Sequence, residues 1–440
     1  MSKHVIENNK EGPRKKTKIH FPSNEDDDDE FDDLEDTVQL EKSQVKISDS
    51  DVYLDTINRK VLNFDLPLIC SVSLATTNIH ICLVCNKYLQ GASESSPAYA
   101  HAIDSNHHIF INTQTYKFII LPEQLVLSGK VLEDLNDIKL LLNPEFTIKD
   151  ISSLDNVPKQ GTTLTKTKYD AGFIPLINDY MNDQTDSRFD KYSKFVLKHN
   201  ALYYAISHIS FIRNALLSYT QSETTPLTNQ LSILTKKIWS PFLFKNFTSS
   251  FAIENYLVSC HLPNKIIEDI RLFYTWMINT LIKENKKIFK NKFTGNLLLN
   301  EKEIKFINLA IKLPQQSVFK GSTSLSIEQY DLVKLIKEKK IKIVKSPKYL
   351  VIYIDRTNDM KIEGIDQELN MNILKFDPDL LQLDTELKYK LLANITYDNK
   401  VHVFNKSRNK WVEFDSVNLK EIEKELLFIT NCQLQIWELQ

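Results

Sequence analysis

No hydrophobic period is visible along the chain until about Asp51, where "VYLDTINRKVLNF" brings spaced apolar positions. Between residues 68 and 127, short apolar runs ("ICSVSLA", "HHIFIN", "YKFIIL") alternate with polar turns and predict strands. The stretch 152–172, "SSLDNVPKQGTTLTKTKYDAG", is polar, carries Pro158 and Gly161, and reads as a linker. Helical spacing follows. In "NALYYAISHISFIRNALLSYT" and "NKIIEDIRLFYTWMINTLIKENKKIF" apolar residues recur every third or fourth position. Beyond Lys345 the pattern turns to strands: "YLVIYID", "KLLANITYD", "VHVFNK", "KWVEFDS" and "LQIWEL". Helices first and antiparallel-type strands last predict an α+β fold, and no internal repeat is visible.

Charge explains the silent start. Arg14, Lys15, Lys16 and Lys18 form a basic cluster, followed by the acidic run "EDDDDEFDDLED" from Glu25 to Asp36. Like charges this dense repel and bury no apolar area, so residues 1–50 are expected to be a disordered tail. The basic cluster suits a nuclear localisation signal or a solubilising tail equally. A net charge of −2 over 440 residues argues against a chain built wholly to coat nucleic acid. The start has no apolar core of a secretory signal, and no run reaches the ~18 apolar residues of a membrane span. A soluble intracellular protein without a membrane partner is expected. The cysteines, five in all, suit metal binding or redox chemistry in a reducing compartment better than a disulfide framework. With 8 glycines, the chain has no phosphate-cradling loop and no nucleotide motif.

Candidate chemistry concentrates at "HICLVCNKYLQG", residues 80–91. The pattern Cys82-x2-Cys85-x15-His101-x5-His107 fits a tetrahedral site of two thiolates and two imidazoles. One structural Zn²⁺ is expected, because zinc accepts soft sulfur and imidazole together and brings no redox chemistry. The spacing favours His107 over His108 as fourth ligand. A small, strand-poor module has little core and would gain folding free energy from the metal. The bland alternative is a pair of buried thiols beside histidines on an exposed turn, and Cys70 reads as a core thiol. A DNA-reading ββα finger would need a helix between Cys85 and the histidines. Gly91 and Pro97 are expected to break it.

The segment "CSVSLATTNIHICLVCNKYLQG…SPAYAHAIDSNHHIFINTQTYKFIILP" resembles the ubiquitin-protease-type zinc finger, in the version carried by splicing-associated homologues of ubiquitin-specific proteases. Further on, "SHISFIRNALLSY", "KKIWSPFLFKNF", "SPKYLVIYIDR" and "NKWVEFDSVN" are similar to blocks of the same family. The resemblance runs from about residue 55 onward. It implies a finger at 51–151, the linker, and a papain-like, USP-type pseudoprotease domain at 173–440. It also implies that Cys82, Cys85, His101 and His107 are the zinc ligands.

Active members use a Cys/His/Asp constellation in which an imidazole activates a thiolate and an acid orients the imidazole. Carried over residue by residue, the nucleophile position is Leu197, the base position is Asp398, and Asp415 alone keeps the family's residue type. An inactive homologue is therefore expected. Cys260 beside His261 is the residual nucleophile candidate, for a deubiquitinase with relocated chemistry, but sequence neighbours point apart and packing is the expected role. The paired C-x-x-C sequences of active members are absent, so no second zinc is expected. Where ubiquitin-binding fingers carry Gly-Arg after a zinc-binding Cys, this chain has Asn86 and Lys87. Lysine replaces a carboxylate-gripping fork poorly, which disfavours a ubiquitin-reading adaptor.

The resemblance implies a nuclear, non-catalytic role in pre-mRNA splicing, in the assembly or stability of the U4/U6.U5 tri-snRNP. The implied partners are spliceosomal tri-snRNP proteins, including the U4/U6-unwinding helicase. "KENKKIFKNKF" (283–293) and "KLIKEKKIKIVKSPK" (334–348) are lysine-rich and leave room for weak contact with small nuclear RNA. Helical charge of this kind is more commonly a solvated face, and no aromatic signature for stacking single-stranded RNA accompanies it.

Overall fold

A computed structural model describes residues 53–156, 170–177, 195–241, 247–299, 301–317, 325–339, 341–357, 369–384, 386–415 and 418–440. The tail expected at 1–50 and most of the polar stretch 152–172 lie outside the described residues. Among the described residues no helix is long and apolar enough to cross a membrane.

Two of the three apolar runs before residue 127, "HHIFIN" and "YKFIIL", fall in an antiparallel sheet, which further short strands complete. Its strands are β1 (Ile79–Cys82), β2 (Tyr88–Gln90), β3 (Ile109–Asn112), β4 (Phe118–Ile120) and β5 (Leu125–Val126), in the order β2-β1-β3-β4-β5. Ile79, Ile81, Ile109, Ile111, Phe118 and Ile120 fill a core with Leu62, Leu135 and Ile138. The module is thus not strand-poor, because alternate residues of four short strands supply a core of their own. The run "ICSVSLA" does not form the expected strand. The Cys70 amide donates to Ala75 O and the Leu74 amide to Cys70 O, closing a tight turn in which Leu74 has φ 60°. That turn leaves Val72 69% and Leu74 74% exposed, so the apolar alternation there has no core to enter. The segment expected to be broken by Pro97 holds helix α1 (Pro97–Ser105). Proline at the first helical position loses only an amide that would be unpaired anyway. Ser96 caps the helix by accepting from the Tyr99 amide at 3.4 Å, and Asn106 ends it at φ 55°.

Helices α2 (Ile148–Ser153), α3 (Val196–Ser207), α4 (Ser210–Leu217), α5 (Pro226–Trp239), α6 (Phe251–Ser259) and α7 (Ile270–Glu284) form the next layer. Helix α3 is apolar nearly all round because it is buried nearly all round. The α5 and α7 ends are tied by a carboxylate: Glu284 accepts the Leu227 and Thr228 amides at 3.1 and 2.8 Å. A buried polar set crosses the layer. His199 faces both oxygens of Glu254 at 3.2 Å, and the Tyr203 hydroxyl donates to Glu254 at 2.9 Å. Strands β6 (Leu176–Ile177) and β7 (Thr248–Ser249) add a short parallel pair.

The remaining strands start before the region where the sequence pattern announces them. β8 (Gly295–Leu299), β9 (Lys302–Phe306) and β12 (Lys342–Lys345) form a three-stranded sheet in the order β12-β8-β9. Helix α8 (Leu332–Glu338) precedes β12, so only the first part of the second lysine-rich stretch is helical. β11 (Gln329–Asp331) pairs in parallel with β14 (Ile373–Lys375). The main sheet runs β10-β13-β20-β16-β17-β18-β19, with β15 (Leu381–Gln382) added against β16. Its strands are β10 (Leu309–Lys312), β13 (Tyr349–Asp355), β16 (Lys388–Thr396) and β17 (Val401–Asn405), then β18 (Lys410–Asp415), β19 (Asn418–Ile422) and β20 (Cys432–Leu439). Strand β20, which follows all the others along the chain, lies between β13 and β16. Both faces of this sheet are covered. On β13, Tyr349 and Val351 face the helices, whereas Leu350, Ile352 and Ile354 enter a second core with Leu297, Phe306 and Trp437. That is why "YLVIYID" reads as one continuous apolar run.

The two parts meet along a packed seam. Phe146, Ile151 and Leu154 pack into the helical core, and the Arg213 guanidinium grips Asp155 at 2.7 and 2.9 Å while lying over the Trp239 ring. Lys237 on α5 pairs with Asp65 and donates to Phe64 O at 3.3 Å.

Candidate functional site

Cys82 ends β1, and Cys85 follows in the turn that reverses the chain into β2. The Asn86 amide donates to Cys82 O at 2.9 Å, and Asn86 takes the left-handed conformation, φ 66°, that this tight reversal requires. His101 sits on α1, and His107 follows just beyond its cap. The ligand atoms of these four residues all lie within 4.8 Å of one another. His101 Nε2 is 3.3 Å from Cys85 Sγ and 3.2 Å from His107 Nδ1. Zn–N bonds of about 2.0–2.1 Å and Zn–S bonds of about 2.3 Å place neighbouring donors of a tetrahedron roughly 3.3–3.7 Å apart. The cluster fits a single zinc ion.

His108 is spent elsewhere. It faces Leu121 O and Asn106 Oδ1, each at 2.8 Å, and stacks on Tyr53. The Val84 and Cys85 amides point at Cys82 sulfur, and the Lys87 amide points at Cys85. Hydrogen bonding with Cys82 and the two imidazoles hold the Cys85 thiol down at about 4. Sharing that bond and being more buried pushes Cys82 up. A divalent cation held by both sulfurs would favour the thiolate form of each. The residue that the sequence pattern missed is Ser105, whose Oγ lies 3.1 Å from His101 Nδ1 and fixes the ring. A serine four positions after a helical histidine was the available signal.

The three positions of the cysteine-protease comparison are separate elements. Leu197 opens α3 with 45% exposure. Asp398 lies in the β16–β17 turn, 3.1 Å from Lys400, and Asp415 ends β18 opposite Asn418. Partial burial would raise the Asp398 carboxyl, but hydrogen bonds from Thr396 and Lys400 hold it below its usual range. An isobutyl group at the head of α3 offers no lone pair for attack on a carbonyl. Cys260 caps α6 half-buried, and His261 turns its Nδ1 to Ser259 O at 2.8 Å. Cys432 is buried beside the Arg356 guanidinium at 3.7 Å, and Cys70 is buried as a core thiol. Lys87 is exposed beside the knuckle.

Residues 70–127 match the Zn-finger in ubiquitin-hydrolases and other proteins. The probable mRNA-splicing protein ubp10 of Schizosaccharomyces pombe is 26% identical over 512 residues, covering 100% of this chain and 97% of that protein. Pre-mRNA-splicing factor SAD1 of Saccharomyces cerevisiae is 30% identical over 441 residues, covering 88% of this chain and 93% of that protein. The chain belongs to the SAD1 family. A solved structure of an essential yeast splicing factor superposes with a TM-score of 0.74 at 29% identity, covering 88% of this chain and 99% of that one. The SAD1-family fold seen here is a UBP-type zinc finger followed by a domain like that of ubiquitin-specific proteases. Its Cys/His cluster belongs to that finger, and the finger type agrees with a structural zinc ion.

Proposed function

We propose that this chain is a non-catalytic pre-mRNA splicing factor that acts in the nucleus and supports assembly or stability of the U4/U6.U5 tri-snRNP through protein contacts. The observation that carries this reading is near-full-length likeness to proteins named as splicing factors. Leu197 at the head of α3 supports the non-catalytic part. In this reading residues 51–151 form the finger, 152–172 the connection and 173–440 the pseudoprotease domain. Cys82, Cys85, His101 and His107 hold one zinc, which orders the knuckle and α1. The partners are tri-snRNP proteins, including the helicase that unwinds U4/U6.

A scaffold acts through contact area, so damage follows fold and surface instead of a reactive group. Nuclear extracts from cells carrying Cys85→Ser should show depleted tri-snRNP on sedimentation, with separated precursor particles and unspliced transcripts accumulating. Asp415→Ala should leave both nearly unchanged, and a ubiquitin C-terminal electrophile should not label the protein. Labelling that disappears on Cys260→Ala, or an intact particle in the Cys85→Ser strain, would overturn the reading.

A further inference from the structure

Several surface lysines on and beside the main sheet are paired with acids. Lys390 and Lys424 reach Asp379 at 3.5 and 2.7 Å, Lys400 reaches Asp398 at 3.1 Å, and Lys420 reaches Glu413 at 2.8 Å. The three-stranded sheet is different. In its register Asn296 lies between Lys305 on β9 and Lys345 on β12, and Leu298 lies between Glu303 and Lys342. Leu297, Phe306 and Ile343 pack into the core beneath. Lys305 and Lys342 alternate away from that core, and a register irregularity between Ile343 and Lys345 brings Lys345 to the same outer face, opposite Asn296. Lys302 is exposed at the start of β9 but alternates with Ile304 and Phe306 toward the other face. None of these four lysines meets a carboxylate among the described residues. Glu303, the acid within the face, is engaged by the Asn296 amide at 2.5 Å.

The result is an array of three ammonium groups, Lys305, Lys342 and Lys345, with the single carboxylate of Glu303 among them. Adjacent strands stand about 4.8 Å apart, so Lys305 and Lys345, on either side of β8, are separated by roughly 10 Å at the backbone. Between them lies Asn296, and no aromatic ring is exposed on this face among the described residues. Point charges without a planar fork or a stacking ring suit phosphates and cannot read bases.

We propose that this face of the β12-β8-β9 sheet binds the phosphate backbone of RNA without regard to sequence. The choice of RNA over an acidic protein segment rests on the splicing role proposed above; the array itself does not. The test uses the full-length protein and a short fluorescent RNA duplex of arbitrary sequence, titrated at several salt concentrations. Wild type should bind with an affinity that falls steeply with salt. The variant Lys305→Gln/Lys342→Gln/Lys345→Gln should bind at least about tenfold more weakly, with a log–log salt slope shallower by about three, near one per lysine. The control Lys390→Gln/Lys400→Gln/Lys420→Gln/Lys424→Gln should bind like wild type. Circular dichroism checks that both variants are folded. Equal affinity and slope in the triple variant would overturn the proposal, as would tight binding of polyglutamate by a protein that does not bind the duplex. Neither outcome touches the sedimentation result on which the splicing reading stands.

Discussion

His208 shows how a single ring can make this fold sensitive to acid. It caps α3, gives its Nδ1 proton to Tyr204 O at 2.7 Å, and lies against Phe173, Tyr204 and Trp239. Burial lowers it to about 4; the Tyr204 carbonyl opposes the shift, and the nearby Arg213 charge adds to it. A histidine depressed in the folded state is protonated more readily in the unfolded chain. Its contribution is therefore complete above the ordinary range near 6.5 and is lost as pH falls from there toward 4. By about pH 5 the loss should be roughly 2 kcal/mol. In urea unfolding, the advantage of wild type over His208→Gln should shrink by about that amount between about pH 7 and about pH 5. An advantage that is flat across this window would show that the ring is not held neutral. The same local reasoning separates His107 from His108. Spacing favours the first, and in the structure both nitrogens of His108 face oxygens outside the cluster.

At the scale of elements, the long apolar strand β13 was legible and the charged strands β9 and β12 were not. "YLVIYID" forms β13 over the same residues, whereas "KEIKF" and "KIVK" hide β9 and β12 behind charged residues that face solvent. The turn at Cys70 and the start of α1 at Pro97 escaped for another reason. Apolar alternation and a proline are read differently once local hydrogen bonds and position within a helix are known. The finger's own core also changes what zinc can be expected to do. Metal analysis should find about one zinc per chain, and Cys82→Ser or His101→Ala should release it. In the zinc-free protein, amides of residues 83–87 and 97–107 should exchange with solvent much faster, while those of β3 and β4 stay protected by the sheet core. Unchanged exchange over 97–107 after zinc loss would show that the metal does not order α1.

Over the whole molecule, the finger is a fixed part of the structure at the seam, because Lys237 and Asp65 pair where water is largely excluded. Lys237→Ala leaves a carboxylate without its partner and should cost about 3 kcal/mol of unfolding free energy. The double change Lys237→Ala/Asp65→Ala should cost clearly less than the two single changes summed, as read from denaturant unfolding. Strict additivity would mean that the pair is not coupled. The strand order of the main sheet carries a consequence for biosynthesis. A ribosome delivers the chain from the amino end, and the finger and the helical layer are complete long before β20 emerges. Until then β13 and β16 have no neighbour between them, and each presents an open edge of unpaired amides and carbonyls flanked by apolar side chains. The sheet can close only when that strand arrives, so a nascent or prematurely terminated chain carries two sticky half-sheets, the kind of surface that chaperones bind and proteases clear.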